Sequence, residues 1–353
     1  MKSLFAKKSS NVLGIDIGSK YVKAVELSAI QGVLQVVSYA YEPIIGQAIN
    51  DREIKDFDAV SRALKKVSMA MKSKNKNIAI AVAGGAVISK IIHMDQHQSD
   101  FELENQIEIE ADSLIPYPLE EVYLDFERLK LSTTHLDKVE VLLTAAHKDI
   151  VDSRLTLVRE SKYAPQIVDT ETNALANAFL LQNPDSEAPQ CLVNIGASLL
   201  QLCVIQGGEV IYAKEHNFGL NKLVSDIALI NNTDEQSIES QLHTNSLPEE
   251  QLREPLNMYI TTLQQQLDRA LQMYVNSTHK ALPSKISLAG GISRLHKISE
   301  LLSVDWPYEC ALFDPFLNIA LSDKISRTSL QAMKSQLAIA TGLASRSIQT
   351  WHK

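Results

Sequence analysis

Two short stretches carry residue types that can hold a phosphorylated ligand, and they share one pattern. The first is GIDIGSKYVK, from Gly14 to Lys23; the second is VNIGAS, from Val193 to Ser198. In each, a polar residue (Asp16 or Asn194) stands two positions before a glycine (Gly18 or Gly196), and a serine follows in the turn (Ser19 in the first; Ala197 then Ser198 in the second). Glycine lets the backbone turn sharply and lets an anion approach the N–H groups of the turn. Lys20 and Lys23 add positive charge beside the first turn. Asp16 is an acid at the mouth of that turn, where alone it would repel phosphate. A Mg²⁺ with its water shell between the two removes the repulsion, which assigns Asp16 to metal binding through water. Asn194 keeps the size of an aspartate and its hydrogen-bonding oxygen, loses the charge and gains two donors. Phosphate binding at the second turn survives that exchange, while metal-assisted hydrolysis loses a support.

The elements around these turns repeat as well. VLGIDIGSKYVKAVEL reads as strand, turn and strand, and Gln31-Gly32 turns into a third strand from Val33 to Val37. In the second copy Leu192 to Ile195 approach the turn, Leu199 to Ile205 leave it, and Gly207-Gly208 turn into Glu209 to Tyr212. A single DxG or NxG turn is commonplace; two copies about half a chain apart, each with a matching third strand, carry more weight. They predict an internally duplicated α/β protein in which two hairpins face each other and clamp a triphosphate. A third glycine element, PSKISLAGGISRLHKISELL, reads as a strand over Ile286 to Ala289, then Gly290-Gly291, then a helix from about Ser293. The diglycine leaves bare backbone for a flat ring, and a helix N-terminus favours phosphate.

The remaining pattern supplies the scaffold. Asp58 to Met71 reads as a helix with Val60, Leu64, Val67 and Met71 on one face, and Ile78 to Ala83 as a buried strand. Strands at Val87 to Met94, Val122 to Leu129 and Val139 to Ala146, with a helix from Asp100 to Ser113, form a small unit. In that helix Phe101, Ile107 and Leu114 alternate with Glu102, Glu104, Glu108 and Glu110, and Pro116 and Pro118 follow it. His147 to Tyr163 reads as a helix with Ile150, Leu155 and Val158 inward. Residues 183–188 (NPDSEA) form a polar hinge, and Leu252, Leu256, Tyr259, Leu263, Leu267, Leu271 and Tyr274 make a helical core stripe within Glu249 to His279. The resulting division is a flexible segment 1–10, a lobe I core of 11–85 and 148–183 with an inserted α+β subdomain at 86–147, and a lobe II core of 189–219 and 284–353 with a helical insert at 220–283.

Composition narrows the function. The chain has 353 residues, 45% hydrophobic and 22% charged, with a net charge of −8. This describes a globular protein of about two domains and argues against a basic nucleic-acid footprint. No apolar run reaches the roughly 18 residues of a membrane span, and MKSLFAKKSS lacks the apolar region of a secretory signal. Cys191, Cys203 and Cys310 form no CxxC pair and suit buried thiols in a reducing cytoplasm. There is no HExxH, GxSxG or GxxxxGK[ST] pattern, so a zinc protease, an esterase elbow and a P-loop are unsupported.

On these residues the chain resembles the actin, hexokinase and heat-shock-chaperone superfamily, whose fold is a duplicated ribonuclease H-like α/β unit around a nucleotide cleft. DIGSKYVK looks like its first phosphate loop, NIGAS its second and LAGGIS its adenosine motif. The resemblance implies ATP or ADP as ligand, with Gly18, Ser19, Lys20 and Lys23 on the phosphates and Asp16 on hydrated Mg²⁺. It places Asn194, Gly196, Ala197 and Ser198 at the second phosphate site, and Gly290, Gly291 and Ser293 near the nucleoside. VDTETNALANAFLL and QLAIATGLASRS look like the two connecting helices, with Glu171 where the superfamily has a residue that orients the attacking water. The stretches SLFAKK, AVAGGAVISKIIHM, ELENQIEIEADSLIPYPLEEVYLDF, VEVLLTAAHKDIVDSRL and FDPFLNIALS are similar to the PilM family, cytoplasmic actin-like proteins of type IV pilus assembly. That resemblance implies a cytoplasmic protein held at the inner membrane through a partner, the N-terminal cytoplasmic tail of PilN, among the other proteins of the pilus platform. The tail would lie between lobe I and its inserted subdomain. It also implies slow or absent ATP hydrolysis, given Asn194. A small-molecule kinase of the same superfamily and an FtsA-like filament-forming protein are the alternatives, and self-association stays open. Lys222 and Asp226 lie where the superfamily's insert contacts base or ribose, although solvated positions suit them better.

Overall fold

The computed structural model describes residues 11–50, 52–83, 85, 87–132, 135–183 and 186–348, without the side chain of residue 130. The segment 1–10 with its SLFAKK motif, part of the polar hinge at 184–185 and the end of the chain from 349 lie outside the described residues.

The first hairpin system consists of β1 (Leu13–Ile17), β2 (Tyr21–Ile30) and β3 (Val33–Pro43). Every residue of β1 is buried, as a central strand covered on both faces requires. Between β2 and β3, Gln31 and Gly32 both take positive φ, 52° and 80°, the backbone that matches the right-handed twist of a two-residue hairpin. The short pair β4 (Ile49–Asn50) and β5 (Glu53–Ile54) leads to α1 (Phe57–Met71), capped by the Asp56 side chain on the Ala59 N–H, 2.8 Å. The predicted face Val60, Leu64, Val67 and Met71 is the buried one. After β6 (Asn77–Val82) the chain makes a separate unit of β7 (Val87–Asp95), α2 (Asp100–Leu114), β8 (Val122–Leu131) and β9 (Lys138–His147). It returns through α3 (Lys148–Glu160), β10 (Ala164–Thr170) and α4 (Glu171–Leu180).

The second half repeats the plan with β11 (Gln190–Ile195), β12 (Leu200–Gln206) and β13 (Glu209–His216), and its hairpin glycines Gly207 and Gly208 again have positive φ, 57° and 80°. Three helices follow: α5 (Leu220–Ile230), α6 (Glu235–Thr244) and α7 (Glu249–Thr278). The chain closes with β14 (Lys285–Gly290), α8 (Ile298–Ser303), β15 (Glu309–Leu312), β16 (Ala320–Leu321), α9 (Arg327–Gln331) and α10 (Ala338–Ser345).

Sheet topology shows the duplication. The order β3-β2-β1-β6-β10 in one sheet matches β13-β12-β11-β14-β15 in the other, and β16 extends the first beyond β3. In both, the first three strands are antiparallel and the last two join parallel. Between the sheets, α4 and α10 cross. Gly342 meets the Ala174 backbone so closely that a Cβ would collide with its carbonyl, and Gly14 is as tight against Ala340. Small residues (Ala174, Ala178, Ala338, Ala340, Ala344) permit this approach, and a core of residues from both sheets and both helices closes around it. In the second half, α7 lays Leu256, Tyr259, Leu263, Leu267, Leu271 and Tyr274 into the lobe II core, the stripe expected from spacing.

Several local readings change. α2 turns Leu103, Ile107 and Ala111 inward and leaves Phe101 73% exposed; the strict 3–4 spacing to Ile107 selects Leu103. On α3 Val158 is buried and Leu155 packs partly buried against the core as expected, but the fully buried face also takes Val151, Arg154 and Leu157, while Ile150 is only half-buried; packing thus accepts a guanidinium. β10 continues to Thr170, and α4 starts only at Glu171, with the Thr170 hydroxyl accepting from the Asn173 N–H at 3.1 Å. No helix starts at Ser293: Gly291 to Arg294 form a single 3₁₀ turn, Lys297 takes a left-handed φ of 54°, and α8 begins at Ile298. The helix N-terminus expected to favour phosphate is therefore not at the diglycine.

Candidate functional site: a cleft between two duplicated turns

Pseudo-symmetry reaches the atoms of the two turns. The Gly18 N–H donates to the Tyr21 carbonyl at 3.0 Å, and the Gly196 N–H to the Leu199 carbonyl at 2.9 Å. Asp16 stands opposite Lys23 in the β1–β2 ladder, and Asn194 stands opposite Gln201 in the β11–β12 ladder. Both pairs close: Lys23 Nζ donates to Asp16 Oδ2 at 2.6 Å, and Asn194 Nδ2 donates to Gln201 Oε1 at 2.8 Å. The two copies thus hold the same cross-strand pair, charged in one and neutral in the other.

The neutral version has a physical cause. Gln201 Nε2 donates to Glu171 Oε2 at 2.5 Å and to Glu215 Oε1 at 3.0 Å. The Glu215 carboxylate and the ionised form of Glu171 only accept, so Gln201 aims its amide nitrogen at them and its oxygen at residue 194. That residue must then donate, which asparagine does and aspartate cannot. The far oxygen of Glu215 accepts from the Gly85 N–H at 2.8 Å and faces Arg52 Nη2 at 3.4 Å, so the network reaches from lobe II across to lobe I.

A cavity of about 520 Å³ opens between the turns. Asp16, Gly18, Ser19, Lys20 and Lys23 line it from lobe I, and Asn194, Gly196, Ala197, Ser198 and Gly291 from lobe II, with Glu171 also on its wall. Gly290 and Ser293 are not among the described lining residues. Gly290 has φ of 87° and packs on the Ile195 backbone, while the Ser293 hydroxyl turns back to the Gly290 carbonyl at 2.8 Å. Their neighbours Arg294 and Leu295 line the cavity instead. Lys222 and Asp226 pair with each other along α5, whereas Leu220, Asn221 and Val224 face the cavity.

Side chains bridge the cleft. Ser19 and Ser198 hydroxyls meet at 3.1 Å, Lys20 Nζ pairs with Glu239 on α6 at 2.6 Å, and Arg294 Nη1 donates to the Tyr21 hydroxyl at 3.3 Å. Tyr21 stacks on Tyr41, ring centroids 4.2 Å apart. At the floor, Arg154 is buried and donates from Nη1 to the Ile17 carbonyl at 3.2 Å, while its Nε has no hydrogen-bond partner. Burial raises the Glu171 carboxyl to about 7, and the Asp16 charge adds to the rise while Arg154 opposes it. Burial lowers the Arg154 guanidinium, with Glu171 and Asp16 working against that shift.

Five cations (Lys20, Lys23, Arg52, Arg154 and Arg294) therefore line a cavity between two glycine turns. The unpartnered Arg154 Nε and this donor set fit a polyanion. Among the described residues, no group of three or more His, Cys, Asp and Glu side chains could hold a metal by itself. A magnesium ion here would be carried by phosphate and water with Asp16, as its usual chemistry allows.

Asp16, Lys23 and Asn194 are legible in the sequence as site residues; Gln201, Arg154, Glu215, Arg52 and Arg294 emerge only in the structure. Gln201 was findable by transferring Lys23 to the second copy at the same seven-residue spacing. Arg154 was findable as the polar member of the 151–154–157 face. For the other three, no local signal exists.

A family model described as type IV pilus assembly protein PilM matches residues 14–348. This chain belongs to the PilM family. Among solved structures it is similar to the PilM-PilN type IV pilus biogenesis complex, at 22% identity over 97% of this chain and 99% of that chain, with a TM-score of 0.84. It is also similar to the ethanolamine utilization protein EutJ from Carboxydothermus hydrogenoformans, at 12% identity over 95% of this chain and 89% of that one, TM-score 0.54. MreB5 of Spiroplasma citri bound to ADP matches at 12% identity over 95% of each chain, TM-score 0.50. These likenesses and the duplicated sheets make the PilM-family fold seen here a duplicated actin-like fold. No helix among the described residues is long and apolar enough to cross a membrane.

Proposed function

We propose that the cleft binds ATP or ADP with Mg²⁺, and that the bound nucleotide governs docking of the N-terminal cytoplasmic tail of PilN. The observation that carries the reading is the pair of equivalent glycine turns converging, with five cations, on one cavity. In this reading the backbone at Gly18, Ser19, Gly196, Ala197 and Ser198 holds phosphate oxygens. Lys20, now paired with Glu239, and Lys23, now paired with Asp16, would each offer their charge to phosphate. Gly291 with its neighbour Gly290 and the Ser293 turn supports the nucleoside. Mg²⁺, when bound, neutralises phosphate charge and polarises the terminal phosphoryl group. Asp16 orients the water shell of the ion, and Glu171 orients the attacking water.

Turnover is slow in this reading. The Glu171 carboxyl is held by Gln201 at 2.5 Å and shifted to about 7, so it is partly protonated near neutrality and committed to a structural bond. Nucleotide then acts as a clamp ligand rather than a fuel. The structural neighbour MreB5, described as bound to ADP, supports nucleotide in this fold, and the neighbour solved as a PilM-PilN complex supports the partner. An extended tail suits the inserted subdomain, where β7 and β8 are the outer strands of the three-stranded sheet. The protein would then sit at the cytoplasmic face of the inner membrane through that partner, with the rest of the pilus platform.

Mg-ATP should raise the melting temperature, because a ligand that binds the folded state stabilises it. No shift at millimolar Mg-ATP ends the nucleotide reading. Asp16→Ala should remove the magnesium-dependent part of the shift. Pull-down with the PilN N-terminal peptide, with and without nucleotide, tests partner and linkage together; equal capture in both conditions rejects the linkage.

A further inference from the structure

Arg154 is a buried cation that its surroundings do not satisfy. It sits on α3 at 3% exposure and lines the cavity, with its charge coupled to Glu171 and Asp16. A guanidinium carries five N–H donors. Among the described residues, the hydrogen bond it makes is the one from Nη1 to the Ile17 carbonyl at 3.2 Å, and its Nε is buried without a partner. Keeping a charge out of water is costly unless it is paired and hydrogen-bonded. A buried guanidinium that lines a cavity and has donors to spare marks a place for an acceptor.

The position of that acceptor follows from the neighbours. Ile17, whose carbonyl holds Arg154, joins Asp16 to Gly18 within the first turn. Asp16 and Glu171 are the two acids at the floor of the cavity. On the nucleotide reading, on which this inference rests, they serve the metal shell and the attacking water. On that reading both act at the terminal phosphoryl of a triphosphate, the group that a diphosphate lacks.

The helix that carries Arg154 is also fastened to the inserted subdomain. β9 ends at His147 and α3 begins at Lys148, with no linker between them. On the outer side of α3, the Tyr123 hydroxyl of β8 donates to Asp152 Oδ1 at 3.0 Å. Lys148 Nζ donates to the Glu120 carbonyl at 2.8 Å and lies 5.5 Å from the centre of the Tyr123 ring. One helix therefore touches the cavity floor through Arg154 and the β8–β9 sheet through Asp152 and Lys148.

We propose that Arg154 is the terminal-phosphate sensor of this cleft: its guanidinium grips the third phosphate of a nucleoside triphosphate, and α3 carries that contact to the inserted subdomain through the Asp152–Tyr123 and Lys148–Glu120 bonds. Arg154 distinguishes triphosphate from diphosphate, and the inserted subdomain is where the difference is expressed.

The test uses the full chain, with a non-hydrolysable ATP analogue (AMPPNP) and ADP, each with Mg²⁺, titrated by calorimetry. In Arg154→Gln, AMPPNP affinity should fall at least tenfold while ADP affinity changes less than threefold. Arg154→Lys keeps a cation but loses the fork, and should show the same selective loss at smaller size; it decides the question if the glutamine variant does not fold. Parallel loss for both nucleotides, or no loss for either, makes Arg154 a structural charge and overturns the proposal. If the wild-type chain binds neither nucleotide, the nucleotide reading itself has failed, and this inference with it. For the relay, hydrogen exchange should show AMPPNP, but not ADP, changing protection in residues 122–131 and 138–147. Tyr123→Phe combined with Lys148→Ala, which removes both bonds, should abolish that change while AMPPNP still binds; a change that persists in this double variant overturns the relay.

Discussion

The exchange of acid for amide between the two turns can be tested by converting one copy into the other. In Asn194→Asp the new carboxylate faces Gln201 Oε1 at the position of a 2.8 Å bond, acceptor against acceptor. If Gln201 turns over to donate to it, the amide oxygen then meets Glu171 and Glu215, and the bonds of 2.5 and 3.0 Å are lost. Either arrangement removes at least one hydrogen bond to a charged or buried partner, each contributing about 1.5–3 kcal/mol. Three carboxyls around one amide add repulsion in the same direction. The net loss is on the order of 3 kcal/mol, or a fall in Tm of roughly 5 °C. Gln201→Lys in the same chain installs the ion pair that Asp16 and Lys23 make at 2.6 Å in the equivalent register, and adds one charge of each sign. The double variant should recover at least half of the loss, a coupling above about 1 kcal/mol in a double-mutant cycle. Thermal and urea denaturation of the four chains measure it. Strictly additive effects of the two substitutions would refute the claim that Gln201 dictates the residue at 194.

Other expectations follow from the same contacts. Gly342→Ala places a methyl against the Ala174 carbonyl where the connecting helices cross; it should destabilise by about 1–3 kcal/mol or more and reduce the nucleotide-induced shift, read by calorimetry. Leu263→Ala in the lobe II core should cost about 2–5 kcal/mol, whereas Phe101→Ala, 73% exposed, should stay within about 0.5 kcal/mol. Glu171 titrates near 7 in the fold against an ordinary 4.5. A raised carboxyl favours the fold in its protonated form, so its contribution is complete below pH 4.5 and is lost as pH rises through about 7. In Glu171→Gln that part of the decline between those values should vanish from a stability-against-pH series; an unchanged slope would remove the assignment.

Much of the architecture was legible because it is written in local periodicity. The α1 face, the α7 stripe and the two-residue hairpin turns are repeated choices of side chain at 3.6- or 2-residue spacing, and no distant contact is needed to read them. The phase of α2 and α3 was less legible. Each carries apolar residues on more than one face, and only packing decides that Leu103 goes inward, that Phe101 goes out, and that Arg154 is buried among Val151 and Leu157. The diglycine misled for a related reason: a strand followed by Gly-Gly and polar residues fits either a helix or a turn, and the positive φ of Gly290 against the Ile195 backbone settles it as a turn.

By itself the sequence determined that this protein contains one motif twice, with Asp16 and Asn194 at equivalent places, because a duplicated hairpin leaves its spacing in the chain. It also determined the residues that belong to the two turns. Tertiary structure alone decided what surrounds them. Glu171 comes from α4, Arg154 from α3, Glu215 from β13 and Arg52 from the turn between β4 and β5, and only the closing of two sheets around the crossed helices brings them together about the cleft. A donor at position 194 is required by carboxylates far away in the chain, and such a requirement leaves no local trace.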